Sequence, residues 1–400
     1  MYTKNPAMLA GVLIVITIFC FILFFNQSMY NNPYKGDYIS DTGTHVELTM
    51  KEKGYSLFHM VLGSSELINR AINFSPKGPP DFSYEKQRKI IYDFVVALLL
   101  SLCVLASILI IYFYLYSEFP KADQRLTAFL SISLLFTNLI LIFPHIYGLF
   151  IGLQGPNAWH NPTLIFCKPL CLLVFIYVLN MKSKFEAKQS YIKEAILIAV
   201  FSMLCMWAKP SFLLSFLPSV LLVIFYLFFR KKISLKFLVI IGMSFSISLI
   251  PFFLIKSFAY ENYQSHIVFA FGRVFKYYSR FIPHYTPLFF VLNVAFPLYV
   301  FVVSCRKRLS FPFVLSFVNY IASFLISLCL AEKGERMTHG NFLWTYQLGI
   351  FMFFVFAVRE FFFVNTYSRK VKIAGWCLFG LHLLSGIFYF IKLSLGYPYF

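Results

Sequence analysis

Residues Ile91–Tyr116 have the sequence IYDFVVALLLSLCVLASILIIYFYLY, and this stretch decides the class of fold. Apart from Asp93, two serines and four tyrosines, it consists of aliphatic residues, phenylalanine and one cysteine. A helix needs about 20 apolar residues to cross the hydrocarbon core of a bilayer. The stretch is long enough for that crossing, so it predicts a membrane-spanning helix.

The composition of the whole 400-residue chain is also that of a membrane protein. It is 60% hydrophobic, 20% aromatic and only 13% charged, with a mean hydropathy of +0.74. Soluble domains are about half apolar and about a quarter charged. A soluble core of this size could not bury so much apolar surface. Soluble enzymes, disordered proteins, disulfide-rich secreted modules and coiled coils are therefore excluded.

The same length criterion gives eleven candidate spans, which predict an all-α, polytopic membrane protein with residues 1–400 in a single integral-membrane domain. The first span can be a signal peptide, but an uncleaved anchor is preferred because no small-x-small cleavage site follows it. The fifth and sixth can form a shallow hairpin instead of two full spans. The eleven candidates are Met8–Phe25, Ile91–Tyr116, Leu126–Gly152, Leu164–Leu179, Glu194–Trp207, Phe212–Phe229, Phe237–Ile255, Leu288–Ser304, Phe311–Leu330, Phe342–Val358 and Ile373–Ile391.

The net charge of +19 comes mostly from lysines and arginines in short gaps between the apolar runs. Such residues orient a membrane protein, because cytoplasmic loops are rich in Lys and Arg. The basic gaps alternate with gaps that contain fewer Lys and Arg residues, and this alternation predicts a cytoplasmic N-terminus. Because the positive charge is explained by orientation in the membrane, no nucleic-acid partner is predicted. The basic gaps contain Lys4, Lys121, Arg125, Lys182, Lys184, Lys188, Lys193, Arg230, Lys231, Lys232, Lys236, Arg306, Lys307, Arg308, Arg359, Arg369, Lys370 and Lys372.

The cysteine pattern indicates neither a disulfide framework nor a zinc site. Seven of the eight cysteines lie inside apolar runs, and the chain has no C-x-x-C motif. Cys167 and Cys171 are one helical turn apart and are interpreted as packing residues. The sequence thus indicates no cofactor and no metal, although a divalent ion is not ruled out.

The chemistry is expected on the outer face, where the first segment, residues 26–90, forms a long extracytoplasmic loop. Ser40 or Asp41 is a suitable N-cap for a helix that runs to about Lys53. Asp41 and His45 are four residues apart and would share one face of that helix. A second amphipathic stretch follows at Tyr55–Ile72, and such helices tend to lie in the bilayer interface.

Four further outer segments contain the other candidate residues for substrate binding. Lys168 lies about one and a half turns inside its span. Burying its charge at that depth costs free energy unless the side chain snorkels to the interface or contacts an anion. These candidates also have explanations that involve no substrate. The lysines can snorkel, Trp159 can belong to an aromatic belt, and the arginines can contact lipid phosphates. The candidates are Trp159, His160, Asn161, Lys168, Lys209, Arg273, Arg280, Glu332, Glu335, Arg336 and His339.

A carboxylate together with cations at the membrane boundary suits a substrate with a sugar head and a lipid tail. The carboxylate would accept a proton from the acceptor hydroxyl as this hydroxyl attacks the anomeric carbon. The cations would stabilise the departing phosphate. The expected donor is a polyprenyl-linked phosphate or diphosphate sugar, and an inverting displacement of this kind needs no protein nucleophile.

The Ser40-Asp41-x-x-x-His45 stretch, placed early in a long outer loop after one span, resembles the first-loop acidic motif of the GT-C superfamily of integral-membrane glycosyltransferases. The resemblance covers the first hundred residues and the general layout. It implies that Asp41 is the catalytic or acceptor-orienting carboxylate. Many members have two adjacent acids, or an acid beside His. The nearest second acid here is Asp37, which leaves open which Asp is the base and whether a metal takes part.

The sequence therefore predicts a glycosyltransferase of cell-surface polysaccharide biosynthesis in the bacterial inner membrane, with a polyprenyl-linked donor and a glycan or lipid acceptor. Three alternatives stay open. An O-antigen or capsule repeat-unit polymerase is similar in size and span count. A transporter or flippase for a lipid-linked saccharide would carry internal repeats, and none is visible. A membrane acyltransferase would need a buried His motif, which neither His145 nor His382 provides.

Overall fold

The computed structural model describes residues 6–30, 40–73, 82–140, 155–259, 266–278, 286–334, 337 and 340–396. These residues form seventeen α-helices, one π-helical turn and two short strands. In chain order the helices are α1 Pro6–Met29, α2 Asp41–Met50, α3 Leu57–Gly63, α4 Ser65–Asn73, α5 Phe82–Glu118, α6 Gln124–Phe136, α7 Pro162–Glu186, α8 Ile192–Ala208, α9 Ser211–Phe229, α10 Leu235–Ile247, α11 Leu249–Ala259, α12 Arg273–Tyr278, α13 Thr286–Asn293, α14 Ala295–Ser304, α15 Phe311–Cys329, α16 Leu343–Arg359 and α17 Arg369–Ser394. The strands are β1 Ile267–Phe269 and β2 Leu330–Glu332, and the π-helical turn Glu360–Val364 follows α16.

The protein belongs to the all-α class and is a polytopic membrane protein, as the sequence predicts. In the described part of the chain, eight helical segments are long and apolar enough to cross a bilayer. The predicted number of eleven spans is not confirmed, because the helices at the other three positions are shorter. The eight segments are Leu9–Met29, Tyr84–Glu118, Pro162–Glu186, Ser211–Phe229, Leu235–Leu254, Phe311–Cys329, Leu343–Val364 and Arg369–Ser394.

Helix α16 lies at the centre of the bundle. All seventeen of its residues are buried, and it packs against α9, α14 and α15. The peripheral helix α1 packs against α5 and leaves a row of large apolar side chains exposed, among them Ile14 and Phe19. A soluble protein rarely exposes a continuous apolar face of this kind, whereas lipid tails solvate it well. The exposed face of α1 therefore suits contact with lipid.

The third predicted span, Leu126–Gly152, is not one continuous helix. Helix α6 ends at Phe136, buried and non-helical backbone follows through residue 140, and residues 141–154 lie outside the described part. The backbone there is satisfied by protein groups: Asn138 N donates to His382 O (3.0 Å), and His382 Nδ1 pairs with Asn138 O (2.6 Å). Irregular backbone at membrane depth is tolerated only where protein covers it. Hydropathy alone could not indicate this break.

Two other predicted spans are also interrupted. Span Phe237–Ile255 consists of α10 and α11, separated at Ser248. Pro251 explains the break, since a proline has no N–H for the carbonyl four residues earlier and clashes with it. Span Leu288–Ser304 consists of α13 and α14, separated at Val294. The segment Leu235–Leu254 still reaches spanning length across its break, whereas α14 alone is too short to span.

Different chain segments lie at the two ends of the helix bundle. At one end, Arg359 Nη2 pairs with Glu118 Oε2 (2.8 Å), and Lys182 Nζ lies 4.5 Å from the centre of the Phe311 ring. Glu118, Lys182 and Arg359 belong to gaps that the charge pattern assigns to the cytoplasm. At the opposite end of the bundle lie the end of α1, the start of α7, the end of α8 and the start of α16.

A two-stranded antiparallel sheet joins two distant segments at this second end. Strand β1 pairs with β2 in the register Ile267 to Glu332, and Ala270 N donates to Cys329 O (2.7 Å). A small apolar cluster below the sheet contains Val274, Phe275 and Leu343. The sheet thus fixes α12 near the start of the central helix α16.

Candidate functional site

Asp41 is the first residue of helix α2, and backbone contacts to a distant segment hold it there. Of the two N-caps that the sequence allows, Ser40 is the one observed, and its Oγ accepts from Thr42 N (3.1 Å). The carbonyl oxygen of His160 accepts from both Asp41 N (3.1 Å) and Ser40 Oγ (2.8 Å). The start of α2 is therefore docked on the segment before α7, and the Asp41 side chain stays exposed.

The amide of Asn161 bridges the Asp41 carboxylate and the Lys209 ammonium group. Its Nδ2 donates to Asp41 Oδ2 (2.9 Å), and its Oδ1 accepts from Lys209 Nζ (3.2 Å). Asn161 is also the N-cap of α7, because the same Oδ1 accepts from Leu164 N (2.9 Å), and Pro162 occupies the first helical turn. These donors to Oδ1 settle the orientation of the amide, so its NH₂ group must face Asp41.

Lys209 lies at the junction between α8 and α9, one residue beyond the end of α8. Its Nζ donates to Thr163 Oγ1 (2.7 Å) and lies 5.0 Å from the centre of the Trp344 ring. Burial lowers the pKa of Lys209 to about 8, and the nearby Asp41 carboxylate opposes this shift. An anion that binds beside the ammonium group would stabilise its charged form. Lys209 is thus an ammonium group held by polar and aromatic contacts at the edge of the membrane.

His45 lies one turn after Asp41 on α2 and is bonded to a second histidine. His45 Nδ1 lies 2.9 Å from His59 Nε2, and His59 Nδ1 lies 2.7 Å from Ser56 Oγ. Burial is the main cause that lowers the pKa of His45 to about 3 and that of His59 to about 4. Both rings are therefore neutral near pH 7. His45 joins α2 to α3, so its contacts suggest a positioning role rather than proton transfer with Asp41.

Gly54 allows this histidine pair to form. A Cβ atom at position 54 would lie 2.3 Å from Cγ of the His59 ring, which is well inside contact distance. The chain between α2 and α3 can approach the ring closely because residue 54 has no side chain.

Three of the predicted binding residues are packed inside the protein. Trp159 packs among aromatic rings, tilted against Phe136 (ring centres 5.4 Å apart) and edge-on to Phe390 (5.0 Å). The His160 ring is buried and its Nδ1 lies 3.0 Å from Tyr389 Oη, while burial lowers its pKa to about 4. These two rings position the backbone on which Asp41 docks. They offer little surface to a substrate.

Lys168 is the third of these residues and is almost completely buried in α7. Its Nζ donates to Asn157 Oδ1 and lies 4.6 Å from the centre of the Phe351 ring. A cavity of about 10 Å³ beside it is lined by Ser107 and Trp159, among others. That volume corresponds to about one water molecule, so it is too small for a phosphate group. The contacts of Lys168 are with the protein interior.

The remaining predicted residues fall into two groups. Arg273 is exposed at the start of α12, and Glu332 lies in β2, where its Oε2 accepts from Asn341 Nδ2 (2.9 Å). Both belong to the sheet region near the start of α16, and the structure gives no bond between them and the Asp41–Asn161–Lys209 group. The other five lie outside the described residues: Asp37, Arg280, Glu335, Arg336 and His339.

The structure adds residues that the sequence did not indicate. Thr163 binds the Lys209 ammonium group, Trp344 provides an aromatic face for it, and His59 holds His45. Thr163 is only two residues after Asn161, so its place in the sequence could have indicated that it belongs to the site. His59 and Trp344 come from distant segments, and no spacing rule links them to Lys209.

Comparison with known proteins identifies a similar solved structure. The chain is similar to the crystal structure of ArnT from Cupriavidus metallidurans bound to undecaprenyl phosphate, with a TM-score of 0.47 and 12% identity. The similarity covers 98% of this chain and 76% of that one. At this identity and TM-score, the similarity assigns neither an activity nor a role to any residue. No family model and no curated protein matches the chain.

Proposed function

We propose that this chain is a GT-C type glycosyltransferase that moves a sugar from a polyprenyl-phosphate or polyprenyl-diphosphate donor to a glycan or lipid acceptor. One observation carries the proposal. Asn161 holds the exposed Asp41 carboxylate and the Lys209 ammonium group on opposite ends of one amide. A proton acceptor and an anion-binding cation are therefore fixed side by side at one end of a membrane-embedded bundle. This is the pair of groups that a lipid-phosphate sugar donor requires.

In the proposed reaction, Asp41 is the general base. It takes the proton of the acceptor hydroxyl while that oxygen attacks the anomeric carbon from the face opposite the phosphate. The bond between the anomeric carbon and the phosphate oxygen breaks, and the configuration of the sugar inverts. The polyprenyl phosphate leaves with the electron pair of this bond, so the anomeric carbon needs no protein nucleophile.

Lys209 is the proposed phosphate-binding group. Its ammonium faces an oxygen on which negative charge develops as the bond breaks, and such preorganised charge lowers the barrier. Thr163 and Trp344 hold the Lys209 chain in place before the donor binds, which limits the entropy cost of ordering it. Since the ammonium supplies the positive charge, the proposed reaction uses no metal ion at the phosphate.

We expect Lys209→Met to weaken the binding of undecaprenyl phosphate by about 10- to 100-fold. A charge-assisted hydrogen bond in a partly buried site contributes about 1.5–3 kcal/mol, and each 1.4 kcal/mol is about tenfold in affinity. The measurement is equilibrium binding of undecaprenyl phosphate to the detergent-solubilised protein. Lys209→Arg keeps the charge and should retain part of the affinity.

Two variants serve as controls for this experiment. Lys193→Met removes an exposed lysine near the opposite end of α8 and should leave the affinity unchanged. Lys168→Met removes the buried bond to Asn157, so it should lower thermal stability more than affinity. Equal affinities of wild type and Lys209→Met would remove Lys209 from the phosphate site. They would also favour the transporter hypothesis if transport were then observed.

The proposed location is a bacterial inner membrane, with a cytoplasmic N-terminus and the Asp41 site on the outer face, where cell-surface polysaccharide is assembled. Single cysteines can test this orientation in a background without the exposed Cys305 and Cys377. Cysteines at the exposed positions Ser183 and Ser368 should react with an impermeant maleimide only in inverted vesicles. A cysteine at the exposed Ser64 should react in intact cells. Labelling of Ser183 from outside would reverse the orientation.

A further inference from the structure

Three cysteines from two helices meet directly below the Lys209 junction. Cys167 and Cys171 lie on α7, Cys205 lies on α8, and all three side chains are fully buried. The Sγ–Sγ distances are 3.4 Å between Cys167 and Cys171, 3.5 Å between Cys167 and Cys205, and 3.6 Å between Cys171 and Cys205. In the described part of the chain, this is the one group of metal-ligating side chains with all its donor atoms so close together.

The triangle of sulfur atoms has the dimensions of one face of a tetrahedral metal site. Its centre lies roughly 2.0 Å from each sulfur, so an ion with Zn–S bonds of ~2.3 Å would sit about 1 Å outside the plane. The carbonyl oxygen of Lys209 lies 3.8 Å from Cys167 Sγ. Sulfur and oxygen ligands of one tetrahedral zinc ion are roughly 3.6 Å apart, so this oxygen lies close to ligand spacing from one corner of the triangle.

Burial alone does not bring a cysteine into this cluster. Cys20 is equally buried in α1 but belongs to no such cluster of the described residues.

We propose that Cys167, Cys171 and Cys205 form a zinc-binding site that clamps α7 to α8 directly below Lys209. On binding, the three thiols lose three protons and form three Zn–S bonds, with no change in oxidation state. All three sulfur ligands are fully buried, so the site is a structural one rather than a catalytic site with a position open to substrate. The inference does not depend on the proposed transferase reaction, since its evidence is the sulfur geometry alone.

The first test is a metal titration of the wild-type protein. The purified protein is stripped with a chelator under reducing conditions and then titrated with Co²⁺ and afterwards with Zn²⁺. We expect one equivalent of Co²⁺ to give the intense visible absorption of tetrahedral thiolate-ligated cobalt, and Zn²⁺ to abolish it. The zinc-loaded form should also unfold at a higher temperature than the stripped form. Stripped protein that stays folded and gives no cobalt spectrum overturns the proposal.

The second test assigns the ligands. Cys205→Ser should lose the equivalent of zinc that the wild-type protein carries, measured by elemental analysis after expression in zinc-supplemented medium. Cys20→Ser is the matched control and should keep it, because Cys20 lies outside the cluster. Equal zinc contents in the two variants would contradict the assignment. If Cys205→Ser does not fold, the cobalt titration of the wild-type protein decides, because it needs no variant.

Discussion

Replacing Asp41 by Asn is expected to lower the rate of sugar transfer by about 10²–10⁴-fold, the usual cost of losing a general base. The asparagine keeps the shape of the side chain but cannot accept a proton. It also brings an amide toward Asn161 Nδ2, which now donates to Asp41 Oδ2. Expression and detergent stability should change little, because Asp41 is exposed and the start of α2 is held through the backbone N–H of Asp41 and the Ser40 hydroxyl.

The assay follows the release of polyprenyl phosphate from a panel of polyprenyl-phosphate sugars in proteoliposomes. Glu47→Gln is the matched control, since Glu47 is an exposed carboxylate on the same helix that pairs with Lys51 (3.6 Å), and it should keep full activity. Asp37→Asn tests the second acid of the loop and should have a milder effect. Loss in Asp37→Asn with full activity in Asp41→Asn would move the base to Asp37. Full activity in both would remove the proposed mechanism.

The fold class and the ends of the first outer helix could be predicted from local features. Hydropathy measures the cost of placing a segment in lipid, so it identifies most spans from the sequence alone. The N-cap could be narrowed to Ser40 or Asp41 because capping depends on the residues next to it, and the structure shows Ser40. The predicted helix end at about Lys53 was also close to the observed end at Met50.

The connection among the site residues could not be predicted in the same way. Asp41 and Asn161 are 120 residues apart, and Asn161 and Lys209 are 48 apart. The alternation of charged gaps suggested that all three lie on one side of the membrane. Only the packing of α7 against α8, with α2 docked on the His160 carbonyl, decides that one amide bridges the other two groups.

The same limit applies to the cysteines and to Lys168. Sequence spacing showed that Cys167 and Cys171 share a face of one helix, which suggested packing. The third sulfur comes from Cys205 on the neighbouring helix, and no local pattern indicates that contact. Lys168 looked like an anion-binding residue because a buried lysine is costly. The cost of burying its charge is instead offset within the protein by contacts with the Asn157 amide and the Phe351 ring.

Gly386→Ala is expected to destabilise the protein more than an ordinary core substitution does. A Cβ atom at Gly386 in α17 would lie 1.5 Å from Phe136 O and 3.1 Å from Asn138 N. These atoms belong to the backbone where α6 breaks, and the Asn138–His382 hydrogen bonds hold that backbone against α17. Overpacking of a core costs about 1–3 kcal/mol when side chains can move. Because backbone atoms lie on both sides of this contact, the expected cost is above about 3 kcal/mol.

Gly380→Ala is the control in the same helix, since a Cβ atom there meets nothing within 4 Å. Alanine is also the better helix former, by about 1 kcal/mol, so this variant should be at least as stable as the wild type. The measurement is the thermal unfolding of each purified variant in detergent, together with its yield of monodisperse protein. We expect Gly386→Ala to lose most of the folded protein and Gly380→Ala to keep it. Equal stability of the two variants would mean that α17 does not pack on the broken end of α6. The buried non-helical backbone after Phe136 would then lack its main protein partner.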